Sequence, residues 1–228
     1  MNSTRFLVGA AIGLTITGHA AFAQDLSRYR GYALEASLDS VITASGARVA
    51  DARTVHERPA RIQELEWRAP YAMPGREPAD PVRGIAFTFY NDALYQVMVT
   101  YDRDRTDGLT NTDVIESISA TYGAPVTRSA GNGASNTAPL PRETVVVAQW
   151  ENAASSLTLL RGTYEPEFRL MLVSKPLSIR AQSAIREAVR LDVVEAPRRE
   201  LEQRKKEAAD ASAVRDKART ANKEAFRP

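Results

Sequence analysis

The run YDRDRTDGLTNTD, residues 101–113, places Asp102, Asp104, Asp107 and Asp113 within twelve residues, with Gly108 among them. Carboxylates at that density are natural ligands for a hard cation such as calcium. A calcium loop of the helix–loop–helix type needs oxygen ligands at its first, third and fifth positions, glycine at the sixth and a bidentate acid at the twelfth. With Asp102 first, Asp104 and Asp113 fall third and twelfth. The fifth position is then Thr106 and the sixth Asp107, so Gly108 comes one place late, and Arg103 and Arg105 set two cations beside the acids. Acids at a helix start also complement its dipole, and Asp-Gly is a turn pair. The four aspartates are calcium candidates by ligand type and capping groups by spacing, and the spacing favours capping.

Other chemistry is sparse. His56 is the one histidine after residue 23. A single imidazole with no thiol cannot build a multi-histidine metal site, and the Gly-x-Ser-x-Gly nucleophile elbow is absent. Glu64 and Glu66 would share a strand face, an arrangement used by glycosidase carboxylates and also common on solvated strands. Neither a phosphate-binding glycine loop nor a dinucleotide fingerprint is present. The aromatics Tyr71, Tyr90, Tyr95, Tyr101 and Trp150 could line a groove for a peptide or glycan, although such residues more often sit in a sheet core. The expectation is a non-enzymatic protein with no cofactor that binds a protein or envelope component. The alternative is a small envelope hydrolase using carboxylates or a bound cation.

Arg5, the apolar run Phe6–Ile16 and Ala21-Phe22-Ala23 read as an export signal with cleavage near Ala23. The run is too short for a membrane span of about 20 residues. The expected location is periplasmic or secreted, with no integral span in the mature chain. The chain has no cysteine, so neither disulfides nor thiolate metal sites contribute, and stability must come from a packed core.

The formal charge of +2 is too balanced for a general nucleic-acid binder. It is also uneven. From Pro176 onward there are thirteen Lys/Arg against nine Asp/Glu. An acidic partner or an anionic membrane surface would suit that end of the chain.

The elements follow from periodicity. Leu38, Val41 and Ile42 make a helical stripe between Ser37 as N-cap and Gly46 as stop. ARTVHE and ARIQELEW read as strands turned at Arg58-Pro59. Residues 68–81 hold four prolines and one glycine and read as a loop. IAFTFYNDALYQVMVTYD reads as a hairpin turned at Asn91-Asp92. Its simple register sets Phe89 opposite Leu94, Phe87 opposite Gln96 and Ile85 opposite Met98. Ile85, Phe87, Phe89, Leu94 and Met98 would then share one face. A hairpin apolar on both sides belongs in mid-sheet.

Val114, Ile115, Ile118 and Tyr122 form a second helical stripe, capped by Thr110 or Thr112. Residues 127–141 read as a loop, and TVVVAQWE, SSLTLLRG and FRLMLVS as a meander. The first helix end, LDSVITASGARV, aligns without gaps on IESISATYGAPV, which suggests an α-then-β unit used twice. Two amphipathic helices with a shared stop signal would give the same alignment without duplication. The residues Ser37, Leu38, Asp39, Val41 and Gly46, with Ile115, Ile118, Gly123 and Pro125 in the second copy, resemble the helix-plus-strands repeat of β-lactamase-inhibitor-like proteins. The small outer-membrane assembly lipoproteins share that repeat. This chain departs from the pattern in lacking a lipid-anchor cysteine and disulfides, and in its charged tail. The resemblance implies a non-catalytic binding scaffold.

Residues 175–196 read as an amphipathic helix that Pro197 kinks or stops, and 197–228 as a charged tail. The expected organisation is an export signal over 1–23, one α+β domain over 24–196, built on antiparallel sheet with short helices, and the extension.

Overall fold

The computed structural model describes residues 25–70, 80–126, 139–141, 143–164, 167–225 and 227. Residues 1–23, read as an export signal, and most of the two segments read as loops, Tyr71 included, lie outside these residues. The fold is α+β, as the sequence implies. After a small hairpin of β1 (Arg28–Tyr29) and β2 (Tyr32–Ala33) comes α1 (Leu38–Ser45). A four-strand meander follows: β3 (Ala52–His56), β4 (Ile62–Arg68), β5 (Val82–Tyr90) and β6 (Ala93–Tyr101). The short α2 (Arg103–Thr106) and α3 (Asn111–Tyr122) lead to a second meander of β7 (Thr144–Glu151), β8 (Ser155–Gly162) and β9 (Phe168–Ser174). The chain ends in α4 (Lys175–Ala225).

All seven long strands form one antiparallel sheet in the order β3-β4-β5-β6-β9-β8-β7. The chain thus runs helix-then-meander twice, and the last strand of each unit pairs with the other at mid-sheet. The aligned helices place Val41 and Ile118 alike, both buried. Their stop glycines differ in backbone conformation. Gly46 is left-handed, at φ 69° and ψ 14°, whereas Gly123 has φ 79° and ψ −170°. Each still donates its N–H four residues back, to Ile42 and Ser119.

The hairpin of β5 and β6 sits centrally, but its register departs from the simple expectation. Asn91 and Asp92 both have positive φ, and Phe89 does pair with Leu94. A shift between Thr88 and Phe89 then sets Phe87 opposite Val97 and Ile85 opposite Val99. One extra residue in a strand moves every later side chain to the other face. Val97 and Val99 therefore join Phe87 and Phe89 in the main core, and Met98 turns to the opposite face.

That core lies between the sheet and α1 with α3. Leu38, Val41, Val114 and Ile118 pack on Leu65, Phe87, Phe89, Leu157 and Leu170. The opposite face is covered at one end by α4. Ala181 is fully buried against Ile62 and Tyr95, flanked by Tyr90, Leu177 and Ile185. The β3–β4 turn grips the helix further on, through an ion pair of Arg58 with Glu195.

Pro197 does not end α4, which continues as one helix to Ala225. An interior proline removes one hydrogen bond and crowds the preceding turn, at a cost of about 3 kcal/mol. Ion pairs bracket the site: Arg199 with Asp192 at 2.7 Å and Arg198 with Glu202 at 3.3 Å. Beyond Arg199 every helical residue is exposed, over about 39 Å.

Candidate functional site: an arginine-walled groove on the sheet

Two of the four aspartates of the opening run, Asp102 and Asp113, cap helices. Asp102 accepts from the N–H groups of Asp104 and Arg105 and caps α2. Asp113 accepts from the N–H and hydroxyl of Thr110, each at 2.7 Å, while the Thr110 hydroxyl accepts from the Asp113 N–H. This reciprocal box starts α3. These hydrogen bonds hold the Asp113 carboxyl below the usual carboxylate range. Among the described residues no group of three His, Cys, Asp or Glu side chains is placed to hold a metal ion together.

The expected aromatic surface is corrected by burial. Trp150 is in the main core, donating its indole N–H to Gly123 O at 2.8 Å. Tyr101 packs against the same core, while Tyr90 and Tyr95 lie beneath α4. They are on opposite faces of the sheet and form no common groove. Burial, with the nearby Glu64 charge adding to it, pushes the Tyr95 phenol up to about 12. Burial raises Tyr29 and Tyr101 as well, so these phenols stay protonated at neutral pH.

Beside Tyr29 and Tyr101, Arg30 and Asp80 form a two-bond ion pair that ties β2's approach to the start of β5. The Arg30 guanidinium holds the Asp80 carboxyl below its ordinary value, and a hydrogen bond from Val82 N–H adds to this. A depressed folded-state pKa contributes stability above the unfolded value, about 3.9, and loses it as pH falls through the folded value. With both side chains over a third exposed, the contribution is screened to about 1 kcal/mol or less. Asp80→Asn should therefore melt lower than the native chain at pH 7, with the gap closing as pH drops below about 4. Thermal unfolding across pH 2–7, a range set by the carboxylate values, reads this directly.

An opening lies on the α4 side of the sheet, at the end the helix leaves uncovered. It has a volume of about 530 Å³ and is bounded by β4, β5 and β6. Two rows of side-chain positions make its floor. Glu66, Ala86 and Met98 pair in one, and Arg68, Gly84, Thr100 and Arg169 in the next. The floor is open because Gly84 and Ala86 occupy β5 there. A Cβ at Gly84 would meet Trp67 O at 3.2 Å, a close approach that glycine permits.

A register shift between Val82 and Gly84 lets Arg83 reach Glu167 at 2.5 Å. Arg169 grips the same carboxylate at 2.8 and 2.9 Å. Glu167 is 2% exposed, so this carboxylate is a buried post that orients two arginines. Each guanidinium has five N–H donors and keeps some for a ligand. Arg68 stands on the opposite wall, 3.1 Å from Glu66. The carboxylates suggested for acid–base work are engaged similarly, with Glu64 on Arg53 at 2.6 Å. His56 ends the edge strand β3 and faces α4 with Asp192.

Sequence reading did not find Arg83, Gly84, Glu167 or Arg169. The one available signal was Gly84, an isolated glycine in a strand pattern. Compared with family models, with curated proteins and with solved structures, the chain finds no match.

Proposed function

We propose that this chain is an exported, non-enzymatic binding protein whose ligand seats an acidic group in the groove over Gly84 and Ala86. The observation that carries the reading is the floor of small side chains flanked by Arg68 and Arg83, with Arg169 paired beside Thr100 and sharing Glu167 with Arg83. Arginine forks recognise carboxylates with two parallel hydrogen bonds, and a pre-oriented fork loses little freedom on binding. The surrounding strands are rigid supports for such a site. Commitment of Glu64, Glu66 and Glu167 to arginines favours recognition over acid–base catalysis. The twice-used helix-and-meander layout fits the binding-scaffold role implied by the resemblance to β-lactamase-inhibitor-like proteins. Export rests on residues 1–23, and the partner is a protein or envelope component with an acidic segment.

The test is site-specific photocrosslinking in cells. A photoreactive residue replaces Thr100 in the groove or Glu116 on α3, at the other side of the sheet. Discrete adducts at 100 and none at 116 are expected. The same adducts from both positions would rule out the groove as the binding site.

A further inference from the structure

The exposed residues of α4 are not distributed evenly around its axis. At about 100° per residue, positions four and seven apart share a side. The buried residues Ser178, Ala181, Ala184 and Ala188 define the side that faces the sheet. Carried along the helix, the arc pointing away from the sheet, about 120° wide, passes through Leu201, Arg204, Arg215 and Arg219, with Lys205 and Lys223 at its edge. No acid falls in this arc between Leu201 and Lys223. Glu202, Glu207, Asp210 and Asp216 all fall outside it.

The same arc begins on the docked half of the helix, with Arg186 and Arg190. Glu187, at the edge of the arc, is taken up by Arg190 at 2.6 Å. Of the exposed large apolar residues of α4, Ile179, Val193, Val194 and Leu201 lie on this arc as well, each more than half exposed. The outward side is therefore a ridge of cations with single apolar residues between them. From Arg186 to Lys223 it is about 56 Å long.

We infer that this ridge lies along an anionic lipid bilayer and holds the body with its sheet toward the compartment. A flat, extended, negatively charged surface matches a long one-sided row of cations, and isolated apolar side chains can dip into the headgroup layer. A second copy is disfavoured because the ridges repel and share no continuous apolar seam. A compact acidic protein would need an apolar contact centre, which single valines and one leucine spread along the helix do not provide. The inference does not depend on the groove, which lies on the sheet.

Flotation of the full chain tests it, on vesicles of phosphatidylcholine alone and of phosphatidylcholine with one-third phosphatidylglycerol. The neutral vesicles report whatever the apolar Phe6–Ile16 run contributes. The ridge predicts a clear preference for the anionic vesicles that fades as salt shortens the screening length below about 8 Å. Two double variants carry the same charge change on different sides. Arg215→Glu with Arg219→Glu, on the ridge, should weaken anionic binding about 30-fold. Lys206→Glu with Lys217→Glu, on the sheet-facing side, should leave it within about twofold. Circular dichroism confirms that both keep the helix. Equal loss in the two variants would reduce the effect to net charge and overturn the inference. So would no preference for anionic vesicles, and retention on immobilised polyglutamate alone would assign the ridge to an acidic protein.

Discussion

Trp150→Ala should lower stability by about 3–5 kcal/mol, the largest loss expected from any single truncation here. The indole is 1% exposed, so its removal opens a cavity in the core between the sheet and α3. It also strands the Gly123 carbonyl, which accepts the indole N–H at 2.8 Å just where α3 ends. An unmet buried acceptor adds roughly 1–3 kcal/mol, part of which relaxation recovers. At roughly 2–4 °C per kcal/mol for a domain of this size, the midpoint should fall by about 10 °C. Trp150→Phe separates the two contributions, because it keeps most of the volume and loses only the hydrogen bond. A fall of less than about 2 °C for the alanine variant, by the same conversion, would mean that Trp150 is not the strut this packing makes it.

Ala181→Glu is the second large effect. Ala181 has no exposed surface and touches Ile62 and Tyr95 where α4 crosses the sheet. There is no room for a longer side chain, and a carboxylate buried there has no partner charge. The helix must either bury the charge or lift off the sheet, and either costs at least about 3 kcal/mol. Lifting is the expected outcome, since one end of α4 is already unsupported. Amide hydrogen exchange should then rise through residues 177–191 and leave the β8–β9 pairing protected. Unchanged exchange in α4 would show that the helix is not held by this contact. Both variants act on the stability of the body and neither replaces a groove residue, so neither informs the groove.

Much of the framework is legible locally because its signals are local. Ser37, Gly46 and Thr110 are caps that act within one helical turn, and Asn91-Asp92 sets positive φ at a two-residue turn. The three strands of the second meander follow from alternation alone. The hairpin register is legible only as far as Phe89 and Leu94, because strands with apolar residues on both faces leave no mark of the shift at Thr88. Pro197 misleads for a related reason. Local chemistry disfavours it in a helix, but Arg58, Arg199 and their acids hold the turns around it from outside.

The groove is not legible, since its parts are dispersed. Arg68, Gly84, Thr100 and Arg169 come from four strands and meet only when the two meanders join. Glu167 reads as an ordinary loop acid until burial and its two arginines give it a role. In contrast, Asp102 and Asp113 are spent on capping, and Tyr90, Tyr95 and Tyr101 on packing.

If the partner binds in the groove over Gly84 and Ala86, occupying that groove must block capture. Adduct yield from a photoreactive residue at Thr100 is measured in the native background, with Ala86→Trp, which occupies the floor, and with Arg68→Glu, which inverts the exposed wall. Adducts should disappear in both variants while each melts within a few degrees of the native chain. Undiminished adducts in the folded Ala86→Trp protein would contradict binding in the groove.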